Sequence, residues 1–264
     1  MVLLDSASAR YVRSWLGEPK RPGVLDLYHA LGHHRRGIWG DDARAPHSVL
    51  LIREGDGQID AFGAGDPEPA LSWLSRRAGR TVALLGPPEW REAVGRRFKP
   101  IERSEILTLT WQPQAESSPI PPVVARRLVA DDFEAFRKSE ATPPWALFAW
   151  NSFAELIKHG AAFAVDYQGS FIALAWIYSQ TDRFDAIAVS TVPKYRGLGL
   201  GKAVASALLT HVVSERGKFP IWTTASSNEA SQGLAESLGF AQNASETLLR
   251  FCPVVPSPKN VKES

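Results

Sequence analysis

The most constraining stretch of this chain is Arg196-Gly197-Leu198-Gly199-Leu200-Gly201, set between a predicted strand and a predicted helix. Its glycines permit a tight turn and leave backbone N–H groups uncovered at the helix start, where the helix dipole favours an anion. A phosphate or pyrophosphate would gain charge-assisted hydrogen bonds there, with Arg196 and Lys202 adding positive charge. The spacing matches neither the full dinucleotide fingerprint nor the phosphate loop that carries a hydroxyl directly after its lysine. A plain strand-to-helix turn also favours glycine. Local chemistry alone therefore leaves a phosphate site and a structural turn both open.

The surroundings of the loop place it in the second of two halves. Residues 112–124, QPQAESSPIPPVV, interrupt regular patterning with prolines that bias their predecessors away from helix, and they read as a linker. Before it, helix is expected over 24–36, 69–77 and 89–97, and strand over 48–53, 59–63, 81–86 and 105–111, with a turn at Gly55-Asp56-Gly57. After it come a strand at 123–128, helices near 131–138 and 151–158, and then AAFAVDYQGSFIALAWIYSQ, a strand, a Gln168–Gly169 turn and a strand. A third strand over 184–191 leads into the glycine loop and a long helix whose Val204, Leu208 and Val212 suit one sheet-covering face. A strand, a helix and a last strand follow. The fold class is α/β (α+β), divided into 1–111, a linker at 112–122, a domain at 123–252 and a proline-rich tail at 253–264.

The chain's 264 residues suffice for two domains of ordinary size. Lys plus Arg at 30 against Asp plus Glu at 28 leaves a formal charge of +2, which gives no reason to expect a nucleic-acid partner. The single cysteine, Cys252, rules out an internal disulfide and a zinc-type cysteine cluster and points to a reducing compartment. The N-terminus lacks a signal-peptide pattern and no apolar run reaches bilayer length, so a cytoplasmic protein without a membrane partner is expected. His33-His34 are neighbours on a predicted helix and do not point to one ligand position, so no metal is expected.

From Asp185 to Phe240 the chain resembles the Gcn5-related N-acetyltransferase superfamily. The resemblance rests on Arg196, Gly199 and Gly201, preceded by Val189-Ser190-Thr191-Val192-Pro193, and on Asn228-Glu229-Ala230-Ser231 followed by Leu234-Ala235-Glu236-Ser237-Leu238-Gly239-Phe240. It implies the family's acyl-CoA N-acyltransferase fold, a mixed central sheet flanked by helices. Thr191, Pro220-Ile221-Trp222 and Leu234-Ala235 are similar to bacterial members with an extra N-terminal domain, which makes residues 1–111 a degenerate second copy in tandem. A duplicated fold supplies within one chain the neighbour that other members take from a second subunit, which favours a monomer over a homodimer.

The resemblance further implies acetyl-CoA as cosubstrate and a small-molecule primary amine as acceptor, joined by direct attack in a ternary complex. Its cofactor contacts fall on Val189, Thr191, Arg196, Gly197, Leu198, Gly199, Leu200, Gly201, Lys202, Asn228 and Ser231. The Val189 backbone N–H would polarise the thioester carbonyl, where negative charge grows during attack. Asp185 is the first candidate base, its alternative being a solvated strand-end carboxylate. Many members carry a tyrosine acid in the last helix, where this chain has Ala235; Ser231 or a water could protonate the sulfur instead, or Ser231 could bond only its own helix. Trp145, Phe148 and Trp150 could wall the acceptor pocket or simply pack. The alternative function is an acyl-CoA-binding protein with a regulatory or structural role.

Overall fold

The computed structural model describes residues 1–17, 22–33, 37–54, 58–77, 79–113 and 123–253. The turn at 55–57, His34 with its neighbouring arginines, linker residues 114–122 and tail residues 254–264 lie outside the described residues. In chain order the elements begin β1 (Val2–Leu3), α1 (Ser6–Leu16), α2 (Pro22–Gly32), β2 (Ile38–Gly40), β3 (Ser48–Glu54) and β4 (Gln58–Gly65). They continue α3 (Pro67–Leu74), β5 (Thr81–Leu85), α4 (Pro88–Arg97), β6 (Pro100–Trp111) and β7 (Arg126–Arg127). Then follow α5 (Phe133–Lys138), α6 (Phe153–His159), β8 (Ala162–Tyr167), β9 (Ser170–Gln180) and β10 (Phe184–Thr191). The last are α7 (Leu200–Thr210), β11 (Phe219–Ala225), α8 (Glu229–Ser237) and β12 (Phe240–Phe251).

The chain forms two compact units, Met1–Glu18 with Arg36–Ser104 and Glu246–Ser264, and Pro19–Arg35 with Glu105–Ser245. These bounds do not follow a cut at the 112–122 linker. Helix α2, early in the chain, belongs to the second unit: buried His29 bonds the Ala149 carbonyl through Nε2 at 2.7 Å, and the Tyr28 hydroxyl donates to Asp182 at 2.9 Å. The end of β12 pairs with β5 in the first unit, with Leu249 opposite Leu84 and Phe251 opposite Val82.

The first unit orders its strands β1-β2-β3-β4-β5-β12, with β4 and β5 parallel. Its core gathers Leu50, Ile59, Leu71, Leu84, Trp90 and Phe251. The second unit orders its strands β6-β11-β10-β9-β8-β7, with β10 and β11 parallel and the other assigned pairs antiparallel. Phe171 through Ile177 of β9 are all buried, as befits a continuous apolar run covered on both faces. The β8–β9 turn puts Gln168 and Gly169 at φ 52° and 76°, the left-handed pair that a two-residue hairpin of right-handed twist requires. Helix α7 covers β8, β9 and β10 with Leu200, Val204 and Leu208, one face at helical spacing. The expected strand at 123–128 shrinks to Arg126–Arg127.

Candidate acyl-CoA site

The site begins where two parallel strands part. Strands β10 and β11 pair from Phe184 opposite Phe219 to Ile187 opposite Trp222 and no further. Beyond that point β10 stays paired with β9 up to Thr191 opposite Ala173, while β11 stays paired with β6 up to Ala225 opposite Ile106. The Val192 N–H donates to the Ile172 carbonyl of the β9 segment at 3.0 Å. Backbone groups alternate along an antiparallel strand, so Ser190 and Ala188 also face β9, and Val189 and Thr191 turn theirs toward the opening. Unpaired strand amides and carbonyls are strong hydrogen-bonding groups in search of a partner.

The glycine loop closes one side of this opening. Gly197 and Gly199 sit at φ 78° and 75°, a left-handed backbone that costs any L-residue about 1–2 kcal/mol. Gly199 is the N-cap of α7 and has no side chain to occupy the first-turn amides, which stay open to an anion. A Cβ on Gly201 would lie 3.2 Å from Thr191 Oγ1, so glycine is what lets the helix start approach β10 this closely. Arg196 donates through Nε to the Thr191 carbonyl at 3.3 Å. Among the described residues neither Arg196 nor Lys202 is engaged in an ion pair, which leaves both charges for a ligand.

Helix α8 closes the other side. Asn228 caps it, its Oδ1 accepting from the Ser231 N–H at 3.1 Å, while its amide nitrogen is not used by the cap. The Trp222 indole Nε1–H donates to Ser231 Oγ at 3.0 Å. Together β10, the loop and α8 enclose a cavity of about 520 Å³. Val189, Thr191, Arg196, Lys202, Asn228 and Ser231 all line it.

The GNAT acetyltransferase family profile matches residues 27–248. The chain belongs to the GNAT acetyltransferase family. No curated protein matches it. A solved GCN5-related N-acetyltransferase-like protein from Streptococcus suis is 20% identical, with 92% of this chain and 98% of that one covered at a TM-score of 0.68. A GNAT-family acetyltransferase from Colwellia psychrerythraea is 15% identical, covering 94% and 98% at a TM-score of 0.61. A tandem GNAT protein from the clavulanic acid biosynthesis pathway is 14% identical, covering 97% and 98% at a TM-score of 0.62. The fold is the α+β GNAT arrangement of mixed sheet and flanking helices, in agreement with a tandem-duplicated architecture.

Within this GNAT chain not every residue singled out from the sequence reaches the cavity. Gly197, Gly199, Leu200 and Gly201 do; Leu198 points outward and is 62% exposed. Asp185 stands at the other end of β10, fully buried rather than solvated. Arg216 pairs with both its oxygens and Lys218 lies 3.2 Å from Oδ1; Arg216 also donates to Gln180 Oε1 at 2.6 Å and to the His159 carbonyl at 3.1 Å. A carboxylate held by two cations across four segments ties the sheet end together and is not free to take a proton from an amine.

Ala235, at the position of the family's tyrosine, is buried in the core, and the α8 face toward the cavity carries Ala230, Ser231 and Leu234. Ser190 and Tyr195 join the lining without having been singled out as ligands, and Trp222, read from the sequence as a sheet residue beside the cofactor channel, lines it too. Trp145 is 40% exposed and meets the Trp176 ring at a tilt, 5.2 Å between centroids, whereas Trp150 is buried and donates Nε1–H to the Ile177 carbonyl at 2.8 Å, which makes it packing. Among the described residues no group of three or more histidines, cysteines or carboxylates is placed to hold a metal ion, and no helix is long and apolar enough to cross a membrane.

Proposed function

We propose that this chain is an acetyl-CoA-dependent N-acetyltransferase that moves the acetyl group to a primary amine of a small molecule. One observation carries the reading. The open amides of the glycine loop, the outward-turned backbone of Val189 and Thr191, and the Asn228–Ser231 corner of α8 all converge on one cavity at the parting of β10 and β11. The residues fit the cosubstrate: loop amides with Arg196 and Lys202 for its phosphates, strand groups of Val189 and Thr191 and the Asn228 amide for its pantetheine arm. Acetyl-CoA supplies a thioester, activated for acyl transfer.

The Val189 N–H stabilises charge on the carbonyl oxygen during attack, and the remaining work is to hold the amine in line. No carboxylate or histidine is among the lining residues, so the acceptor enters as the neutral amine and gives up its proton after attack, to water or to a hydroxyl. Ser231, bonded to Trp222 at the last β11 position paired with β10, serves as the acid toward sulfur.

Calorimetry tests the cofactor reading. Acetyl-CoA binds the wild type, and Arg196→Glu, which turns an attractive charge repulsive, weakens binding by about 100-fold. No heat at millimolar acetyl-CoA overturns it. A second reading, an acyl-CoA-binding protein with a regulatory or structural role, is favoured by the tied-up Asp185 and core-facing Ala235. Binding without release of free CoA across a broad panel of primary amines would select it.

A further inference from the structure

The hydroxyl of Ser231 behaves unlike those of Ser14, Ser75 and Ser237. Ser14, Ser75 and Ser237 each donate Oγ–H to the carbonyl three residues back, at 2.6, 2.9 and 2.8 Å. That bond consumes the proton. Ser231 makes no such bond: its Oγ accepts the Trp222 Nε1–H at 3.0 Å, and among the described residues nothing accepts its proton. An indole nitrogen only donates, so this contact has one polarity. It occupies a serine lone pair and leaves the O–H free to point elsewhere.

Trp222 is itself held fast. It is the last β11 residue paired with β10, opposite Ile187; it pairs with Leu109 of β6 on the other side, and its ring meets Phe240 edge-on at 5.6 Å. Only 3% of it is exposed, yet it lines the cavity together with Ser231. The vertex of the parting strands thus fixes the position of the Ser231 oxygen.

We propose that Trp222 is a positioning residue that aims the Ser231 proton at the thiol sulfur of the bound cosubstrate. This rests on the acetyltransferase reading above. In the step it serves, the amine nitrogen forms a bond to the thioester carbon, and the carbon–sulfur bond then breaks with the electron pair leaving on sulfur. Ser231 gives its proton to that sulfur while its oxygen receives the proton released by the attacking nitrogen, directly or through water. The net transfer is one proton from nitrogen to sulfur, and the serine ends as it began. The indole donor raises the acidity of the hydroxyl and prevents it from turning back onto its helix.

The test uses free CoA as probe and titrates its bound thiol by thiolate ultraviolet absorbance, so no acceptor is needed. A hydroxyl aimed at sulfur stabilises the thiolate, and Trp222→Phe, which keeps a ring against Phe240 but loses the N–H, should make the bound thiol about 10-fold less acidic. Ser231→Ala should do the same. The double variant should show no further change, because Trp222 acts only through Ser231. Each variant is titrated at CoA concentrations that calorimetry shows to saturate it. If Trp222→Phe fails to fold, Trp222→His, which retains a ring N–H donor, should titrate as the wild type while Ser231→Ala does not. A bound thiol that titrates alike in wild type and Trp222→Phe, or two single effects that add, overturns the inference while leaving the cofactor reading intact. Failure of the wild type to bind CoA overturns both.

Discussion

The two units build the same strand–helix–strand corner and finish it in opposite ways. In the first unit β4 and β5 pair in parallel from Gln58 opposite Thr81 to Phe62 opposite Leu85, and β4 then continues beside β3 alone, up to Gly65 opposite Ser48. Strand β5 ends there, whereas β11 of the second unit runs on beside β6 after it leaves β10. Trp90 fills the gap, fully buried, its Nε1–H donating to the Gly65 carbonyl at 2.7 Å and its ring lying where a side chain on Gly63 would run into it. Trp90 is the third residue of α4, and Ser231, on the cavity wall, is the third residue of α8.

The helix starts differ as well. Asp66 caps α3 by accepting from the Glu68 N–H at 3.0 Å, Pro67 has no N–H to offer, and Glu68 adds negative charge. α7 begins on an uncapped glycine flanked by Arg196 and Lys202. The α7 start thus carries open amides and positive charge, the α3 start a filled cap and negative charge. One side chain on the following helix fills this corner in the first unit, and the second unit leaves it hollow.

The largest effect that probes this contrast comes from Trp90→Ala. It should lower stability in denaturant unfolding by about 3–5 kcal/mol as a cavity opens in the first unit. It should still leave acetyl-CoA binding at one per chain, since Asp66, Pro67 and Glu68 close the helix start; a second bound equivalent would break the comparison. Asp185→Asn should cost about 3 kcal/mol by leaving Arg216 and Lys218 short of a counter-charge. Its pH–rate profile should match the wild type, and a lost ionisation would restore Asp185 as a base.

Gly201→Ala should weaken acetyl-CoA binding several-fold, about 1 kcal/mol, as its methyl meets Thr191 Oγ1 at 3.2 Å. An unchanged affinity would mean that the close approach of α7 to β10 is not used.

The smallest effect is a pH slope at the end of α7. Burial, and then the charge of Arg127, hold His211 below its ordinary value of 6.5, against the pull of Glu215 at 2.9 Å; Arg216 pushes the same way as Arg127. The unfolded chain therefore binds a proton that the folded one refuses. Stability is complete above 6.5 and declines as pH falls through it toward the lower folded value. His211→Gln should flatten that limb in chemical denaturation, whereas a slope unchanged by the substitution would place its origin elsewhere.

Local features were readable before any coordinates. A Gln168–Gly169 hairpin turn and the left-handed glycines of the 196–201 loop follow from backbone sterics that each residue carries with it. The apolar run of β9 declares its burial. Helix α1 went unread: its cap, Asp5 accepting from Ala7 and Ser8, lies within a segment considered only as a possible leader. Asp185 looked like an accessible carboxylate because nothing near it in the chain says that Arg216 and Lys218 return to meet it.

The sequence by itself determined where a helix start with open amides, left-handed glycines and two neighbouring cations stands, because these are properties of consecutive residues. Only the tertiary structure decided which corner is hollow, which carboxylate is spent on an ion pair, and which serine keeps its proton. Those outcomes depend on Trp90, Arg216 and Trp222 reaching partners from other elements, and side-chain packing across a sheet has no signature in local sequence.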